Sequence, residues 1–170
     1  MQQVRQMSGP DTGTLSELIE SVFPFVEMPS AAELISPGRP DSEYLTQELE
    51  RYRGKQIVGD TIRLIHQELS YLSAKGWRWI LPHYLRFCLT PEAEYNRMET
   101  EFLIYNLGPD LKFQGDTTQR LALLAPRQIS CLIDFLRWCQ SQEYWREYCP
   151  DQLSRAIGFL RTLLLARERT

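Results

Sequence analysis

Histidine and cysteine are the side chains that could act as a nucleophile, a base or a metal ligand, and this chain has few of them. It contains two histidines, His66 and His83, and four cysteines. A zinc site would need further ligands at helical spacing, and neither H-E-x-x-H nor His-x3-His occurs. A thiolate–imidazole dyad of Cys88 with either histidine stays open, because such residues meet in space rather than in sequence. We therefore predict no bound metal and no catalytic residue that a motif identifies.

Four glutamates lie close together in sequence and could supply paired carboxylates for acid–base catalysis or a di-metal centre. They are Glu92, Glu94, Glu99 and Glu101. Di-iron bundles also use a Glu-x-x-His pair, which the chain lacks, so a solvated acidic face is the favoured interpretation. The phosphate-binding patterns G-x-G-x-x-G and G-x-x-x-x-G-K and the G-x-S-x-G elbow are absent as well. We expect no cofactor.

Aromatic residues with interspersed arginines form two clusters, and this composition is typical of protein-binding hot spots. The first cluster includes Trp77, Trp79 and Arg86, and the second includes Trp145 and Arg146. We take these five residues as the candidate protein-binding surface. Helical cores contain the same residue types, so packing of both clusters in the protein's own core is the competing interpretation.

The cysteines are predicted to be reduced thiols rather than disulfide partners. They lie far apart in sequence without a C-x-x-C pair, and the first residues show no export signal. Three of them, Cys88, Cys131 and Cys139, occupy helical positions typical of core packing, whereas Cys149 beside Pro150 is expected to be exposed. No apolar run reaches the length of a membrane span, so we expect a cytoplasmic protein.

Composition argues for a folded protein and against a nucleic-acid surface. Hydrophobic residues make up 43% and charged residues 24% of the 170 residues, which is ordinary for a globular domain. The formal net charge of −3 is opposite to the basic excess that phosphate binding needs. A few arginines near the C-terminus are explained by the favourable interaction of cations with a helix C-terminus. We therefore expect a protein partner and no nucleic acid or membrane.

The first half of the chain is predicted to contain helices separated by proline and glycine. Residues 1–13 are expected to form a flexible tail, and Thr14 opens a helix with a capping box to Glu17. Asp41 is a possible cap for the next helix. The clearest stripe, over residues 58–72, predicts one long core helix that Gly76 ends. The stretch from Trp77 to Pro82 is expected to be an extended crossing segment that leads into a helix from Pro82 to Leu89, because residues before a proline prefer extended geometry.

The second half continues in the same way. Residues 91–107 are predicted to form one helix that buries Tyr95, Met98, Phe102 and Tyr105, and residues 108–118 a loop. Pro126 can start a largely apolar, central helix, and Pro150 can start the last one. Because no period-two alternation or hairpin turn is visible, residues 14–170 are predicted to be one all-α domain, an irregular bundle of six or seven helices.

Three stretches resemble an uncharacterised family of small bacterial all-helical proteins, a domain of unknown function. They are R-Y-R-G-K at residues 51–55, L-S-Y-L-S at 69–73 and W-R-W-I-L-P-H-Y-L at 77–85, and Gln128 with the helix that follows resembles the family's later helix. The resemblance covers about residues 15–136, and it implies a bacterial cytosolic helical domain with no catalytic residue to transfer. The leading hypothesis is thus a non-enzymatic interaction module, similar to an immunity or adaptor protein. An enzyme with a spatially assembled His, Cys and carboxylate site is the alternative.

Overall fold

The computed structural model describes residues 9–39 and 43–170 of the chain, and these residues are organised almost entirely as helices. Ten α-helices follow one another in this part: α1 (Thr12–Val22), α2 (Ala31–Leu34), α3 (Glu43–Glu50), α4 (Gly59–Ile65), α5 (Ala74–Cys88), α6 (Met98–Leu107), α7 (Gln114–Arg120), α8 (Pro126–Ser141), α9 (Glu143–Tyr148) and α10 (Pro150–Glu168). Short 3₁₀ helices cover His66–Tyr71, Pro91–Glu94 and Leu111–Phe113. The all-α prediction is confirmed, but ten helices exceed the expected six or seven because several predicted long helices are divided. Most residues of the predicted tail and the predicted cap Asp41 lie outside the described residues.

Helix α1 begins two residues earlier than the predicted start at Thr14. Asp11 is its N-cap, and the Asp11 carboxylate accepts hydrogen bonds from the backbone N–H of Thr14 at 2.8 Å and from the Thr14 hydroxyl at 3.0 Å. These two bonds lower the pKa of Asp11. An aspartate at the N-cap satisfies a free amide and interacts favourably with the helix dipole, so it displaces the predicted threonine cap.

The hydrophobic core is one cluster of side chains with α8 at its centre. Helices α1 and α10 both pack against α8, and their fully buried residues include Leu15, Ile19, Leu153 and Leu160. The Gln128 amide near the start of α8 donates to the backbone carbonyl of Val22 at 3.1 Å, which ties α8 to the end of α1. The predictions that Pro126 and Pro150 begin helices are both confirmed.

Helix α5 runs straight through the stretch for which an extended segment was predicted. The Ser73 hydroxyl caps it by accepting from the backbone N–H of Gly76 at 3.1 Å. Pro82 lies inside the helix and is buried, although proline lacks the N–H that would bond to the carbonyl four residues earlier. Burial of the apolar face of α5 therefore overrides the local preference of the residues before a proline.

Gly76 was predicted to end a helix, but it lies in the first turn of α5. A Cβ atom at this position would be 2.6 Å from the backbone oxygen of Leu34. The same region contains an isolated antiparallel bridge between Ile35 and Leu72, with the Ser73 amide donating to the Leu34 oxygen at 3.0 Å. The glycine is needed because the backbone after α2 passes directly over the start of α5.

Residues 58–72 form two elements rather than one long helix. Helix α4 ends at Ile65, and the 3₁₀ helix His66–Tyr71 follows. The predicted stripe is buried at Ile62, Ile65, Leu69 and Leu72, but Val58 precedes the helix and is 45% exposed. The change from α to 3₁₀ turns the later residues, and this keeps the apolar side chains directed into the core.

The predicted helix over residues 91–107 is also divided, and its buried face was predicted wrongly. Arg97 has a left-handed backbone with φ of 63°, so it interrupts the helical path between Pro91–Glu94 and α6. Tyr95, Met98 and Tyr105 are exposed, whereas Leu103 and Ile104 are buried. A periodicity argument assumes an unbroken helix, and one residue with positive φ changes the register of everything after it.

The last third of the chain is more helical than predicted. Where a loop was expected, the structure has the 3₁₀ helix Leu111–Phe113 and α7. Helix α10 fixes the turn before α8, because the Arg167 guanidinium donates to the backbone oxygens of Leu121, at 2.7 Å, and Leu124. Among the described residues, no helix is both long and apolar enough to cross a bilayer.

Candidate functional site

The three tryptophans of the predicted binding surface lie in the core. Trp77 is 1% exposed, Trp79 is 3% and Trp145 is 5%. The indole N–H of Trp77 donates to the buried backbone oxygen of Leu69 at 2.9 Å, so its polar atom is satisfied as well. Burying a large aromatic side chain is favourable, and these residues lie on the apolar faces of α5 and α9. The tryptophans therefore do not present a surface to a partner in this structure.

The two arginines of that prediction lie on different helices. Arg86 on α5 is half-buried and forms an ion pair with Glu20, with 2.6 Å between Nε and Oε1. Arg146 on α9 is exposed and makes no ion pair with any residue in the described part of the chain. Of the five candidates, only Arg146 is therefore available at the surface, and the structure does not bring the five together.

The thiol–imidazole dyad finds no support in the geometry. Cys88 is buried, and burial raises the pKa of its thiol to about 12, so the reactive thiolate is not formed near neutral pH. His83 is five residues earlier on α5, and this spacing directs the two side chains roughly 140° apart around the helix. The His66 ring packs edge-on against Phe102 at 5.1 Å between centroids, and its Nδ1 bonds to the backbone oxygen of Arg63.

His83 lies in a groove of a different character. It lines a groove of about 550 Å³ beside α5, together with Phe25, Ile57 and the edge of Trp79. Burial, and then the positive charge of Arg86, lower the pKa of His83. The imidazole is thus mainly neutral at pH 7, and Glu27, Arg53 and Lys55 are the charged residues that line the same groove.

The four glutamates do not form a common acidic face. Glu92 forms an ion pair with Arg63 at 2.5 Å, whereas Glu99 is 1% exposed and lies 3.6 Å from the Arg63 Nε. The prediction that all four are solvated is therefore wrong for Glu99, which α6 carries inward after the register change at Arg97. No group of three or more His, Cys, Asp or Glu side chains that could hold a metal ion occurs in residues 9–39 and 43–170.

An exposed surface rich in tyrosine lies close to the predicted second cluster. We call Arg97, Tyr105, Tyr144 and Tyr148 the tyrosine patch. The rings of Tyr144 and Tyr148 are stacked, with centroids 5.3 Å apart and an interplanar angle of 19°. The Arg97 guanidinium lies over the Tyr144 ring at 3.9 Å, a cation–π contact. Tyr144 and Tyr148 are 38% and 52% exposed, so part of each side chain remains accessible to a partner.

A carboxylate on α6 fixes the tyrosines from the other side. The Tyr148 hydroxyl donates to Glu101 Oε1 at 3.1 Å, which holds α9 against α6. The Glu101 carboxylate raises the pKa of Tyr148, and burial together with the Glu101 charge raises the pKa of Tyr105. The hydroxyl groups therefore stay protonated and keep their capacity to donate hydrogen bonds.

The backbone around Arg97 explains why this arginine reaches the tyrosines. Arg97 is the one non-glycine residue with positive φ in the described part of the chain, and the Asn96 side chain accepts from the backbone N–H of Met98 at 3.1 Å. A left-handed conformation costs a residue with a side chain about 1–2 kcal/mol. It directs Arg97 towards α9, where the Tyr144 ring compensates in part through the cation–π contact.

The surroundings of the tyrosine patch are acidic. Glu94, Glu143 and Glu147 are exposed, and none of them forms an ion pair with a described residue. Glu94 and Glu143 also line a cavity of about 240 Å³ beneath Arg97 and Tyr144. The patch therefore combines flat aromatic rings with unpaired negative charge.

The predicted second cluster lies beside the tyrosine patch, but the tryptophan chosen for it, Trp145, is buried. Tyr144 and Tyr148 are four apart, and this spacing places two side chains on one face of a helix. The same spacing argument places Trp145 on a different face from the two tyrosines. The sequence therefore already indicated that the tryptophan and the tyrosines differ in exposure. Arg97 gave no such signal, because its position depends on a backbone conformation that the sequence does not reveal.

Comparison with known proteins identifies the chain through its central region. A model for the family described as "Family of unknown function (DUF6714)" matches residues 38–152, which is well over half of the chain. No curated protein and no solved structure matches it. The matched region runs from the end of the α2 loop to the start of α10 and contains the whole tyrosine patch. The chain therefore belongs to DUF6714, a family of unknown function.

Proposed function

We propose that the protein is a non-enzymatic interaction module of a bacterial cell, similar to an immunity or adaptor protein, and that it binds its partner through the tyrosine patch. The observation that supports this is the exposed Tyr144–Tyr148 stack with Arg97 over it. Tyrosine and arginine are enriched at the centres of protein interfaces. A cytoplasmic setting is proposed because all four cysteines are free thiols.

The side chains of the patch are held in fixed positions, and this rigidity supports binding as much as their composition does. Tyr144 is held by stacking on Tyr148 and by Arg97, and Tyr148 is held by its hydrogen bond to Glu101. A side chain that is already fixed loses little conformational entropy when a partner covers it. Rigid aromatic side chains of this kind act as anchors in antibody combining sites for the same reason.

The charges around the patch indicate the chemistry of the partner. Glu94, Glu143 and Glu147 carry unpaired negative charge beside aromatic ring faces. Lysine and arginine are attracted both to carboxylates and to aromatic rings. We therefore propose that the partner is a protein that presents a basic surface.

The test compares capture of binding proteins by matched variants. The full chain, Tyr148→Ala, Tyr148→Phe and the control Tyr44→Ala are immobilised and exposed to lysate of the source organism, and bound proteins are identified by mass spectrometry. Tyr44 is a suitable control because it is 66% exposed on α3. A specific partner is expected to bind the parent and Tyr44→Ala equally, and Tyr148→Ala at least about 30-fold more weakly, since removing a hot spot costs about 2 kcal/mol or more.

Two further measurements make the test decisive. Tyr148→Phe keeps the ring but not the bond to Glu101, so its affinity is expected to lie between those of the parent and Tyr148→Ala. Affinity for a basic partner is expected to fall as salt rises. The proposal is wrong if the parent and Tyr148→Ala retain the same proteins to the same extent. It is also wrong if the parent and Tyr44→Ala have no specifically bound protein in common.

A further inference from the structure

The groove that contains His83 continues along α5 into a second groove. Their volumes are about 550 and 440 Å³, and Gln56, Ile57 and His83 line both of them. We call the two grooves together the α5 cleft. Trp79 lines its first half and Phe87 its second half. With His83 between them they are spaced four residues apart, so all three lie on one face of α5 and span about 12 Å along it. The cleft is thus elongated, and its volumes suit a small molecule.

Each half of the cleft is mainly apolar, and a polar side chain lies between the halves. The apolar residues include Phe25, Met28 and Trp79 in the first half and Val58, Ile62 and Phe87 in the second. His83 makes no hydrogen bond with a described residue, and both of its ring nitrogens remain accessible. A neutral imidazole has one donor and one acceptor nitrogen, so His83 provides both functions in the middle of the cleft.

The segment before α4 lines the cleft with unpaired backbone groups. Residues 56–58 lie outside the helices, and Val58 is extended, with φ of −121° and ψ of 174°. The backbone N–H groups of Gln56, Ile57 and Val58 make no hydrogen bond with any residue in the described ranges. Backbone donors bond to water or to a ligand when the chain itself supplies no acceptor. The middle of the cleft therefore has hydrogen-bonding groups on two of its walls.

The first half of the cleft is preformed by Arg53. Its guanidinium donates to the backbone oxygens of Met28 at 3.0 Å and Pro29 at 2.7 Å, and the Glu50 carboxylate holds the guanidinium from the other side. These bonds fix the loop after α1 against the segment after α3. A site that is already held in shape loses little conformational entropy when it binds a ligand.

The charges of the cleft balance, and this indicates the charge of the ligand. Three of its charged side chains are in ion pairs: Arg53 with Glu50, Arg86 with Glu20, and Glu92 with Arg63. The other two, Glu27 and Lys55, are exposed, have opposite charges and make no ion pair with a described residue. A charged ligand would lose hydration in an apolar cleft without an excess of opposite charge to compensate, so the lining is complementary to a neutral molecule.

We propose that the α5 cleft binds a neutral, elongated small molecule that places one apolar group in each half and a hydrogen-bonding link, such as an amide, beside His83. An amide both donates and accepts, which matches the imidazole and the backbone groups of residues 56–58. The apolar groups cover Phe25 in the first half and Val58 in the second, both of which are exposed at the surface. Removal of this apolar surface from water drives binding.

The first experiment titrates the full chain at pH 7 with N-benzylbenzamide, a neutral molecule with two rings joined by an amide. The imidazole signals are followed by NMR, and the chain has only two histidines. Saturable shifts of the His83 signals are expected. The His66 signals serve as the internal control, because that ring packs against Phe102 outside the cleft, and they should not move. The absence of a saturable His83 shift overturns the proposal.

Two matched probes test the length and the charge of the ligand. Benzamide fills only one half of the cleft and should bind at least about tenfold more weakly than N-benzylbenzamide, because one buried ring is missing. Dibenzylammonium has nearly the same shape but is cationic, and it should also bind at least about tenfold more weakly. Equal affinity of benzamide would refute the elongated ligand, and equal affinity of dibenzylammonium would refute the neutral one.

Variants locate the binding of N-benzylbenzamide in both halves. Phe25→Ala and Val58→Ala should each weaken it at least about threefold, since each removes apolar contact area from one half. Tyr95→Ala, an exposed aromatic residue outside the cleft, is the control and should leave the affinity unchanged. All three side chains are exposed, so the melting temperatures should stay near that of the parent. If either cleft variant binds as tightly as the parent, or if Tyr95→Ala weakens binding as much, the proposal is wrong. Because the α5 cleft and the tyrosine patch share no residue, each proposal can fail alone.

Discussion

Replacing Gly76 by alanine is expected to destabilise the protein, even though alanine is the better helix former. Gly76 lies in the first turn of α5, where the added Cβ would be 2.6 Å from the backbone oxygen of Leu34 and 3.2 Å from the Leu72 Cβ. An ordinary contact between carbon and a carbonyl oxygen is about 3.3 Å or more, so the two segments must separate by roughly 0.7 Å. The Leu34 oxygen also accepts from the Ser73 amide at 3.0 Å, and the movement would strain that bond.

The magnitude follows from two opposing effects. Alanine gains at most about 1 kcal/mol over glycine in a helix. Overpacking costs about 1–3 kcal/mol, and we expect the upper part of that range because the obstacle is backbone rather than a flexible side chain. The free energy of unfolding should therefore fall by about 1–2 kcal/mol, which lowers the melting temperature of a domain of this size by about 2–8 °C.

Gly158→Ala is the matched control for this substitution. Gly158 lies in the interior of α10, and a Cβ there would meet nothing within 4 Å. The same exchange should raise the free energy of unfolding by about 0.5–1 kcal/mol. Urea denaturation followed by circular dichroism measures both variants. Stabilisation by Gly76→Ala to the same extent as by Gly158→Ala would refute the close approach of the Leu34 backbone to α5.

Three further predictions concern buried polar groups. Trp77→Phe should lower the free energy of unfolding by about 0.5–1.5 kcal/mol, measured by urea denaturation, because the Leu69 oxygen loses the indole donor and keeps only the Leu72 N–H; an unchanged midpoint would contradict this. All four thiols should be unreactive towards a thiol reagent at pH 8 until the chain is unfolded, since each is buried, including Cys149, for which exposure was wrongly predicted, and burial raises the pKa of Cys88 to about 12; rapid labelling of the native protein would contradict it. The pKa of His83 is lowered below its ordinary 6.5, so the unfolded chain binds that proton more tightly and stability should fall as pH drops below about 6.5. His83→Gln should reduce the loss of melting temperature between pH 6.5 and 5, and an identical loss in both proteins would count against it.

Sequence reasoning succeeded where the determining signals are local. The starts of α8 and α10 follow from proline at the first helical position, and the buried stripe at Ile62, Ile65 and Leu69 follows from spacing alone. These features need no knowledge of what packs against the helix. The all-α class followed for the same reason, because every strong periodic signal was helical.

The failures occurred where tertiary packing overrides local signals. Gly76 and Pro82 are ordinary stop signals for a helix, yet α5 contains both. Gly76 is needed because the Leu34 backbone passes close to it, and Pro82 is tolerated because it lies on the buried face of α5. The positive φ of Arg97 changed the register of α6 and moved Glu99 inward. Aromatic density alone could not separate buried Trp145 from exposed Tyr148, although their positions on one short helix could.

The position of α8 has a practical consequence for anyone who works with relatives of this protein. Helix α8 is covered by α1 and α10, yet the family match spans only residues 38–152 and omits α1 and most of α10. The region that the family model matches therefore leaves out two helices that pack against α8. A recombinant fragment cut at the family boundaries would expose the apolar surface that Leu15, Ile19 and Leu160 now cover, and we expect it to aggregate. Fusion partners, protease sites and truncations should therefore leave both α1 and α10 intact.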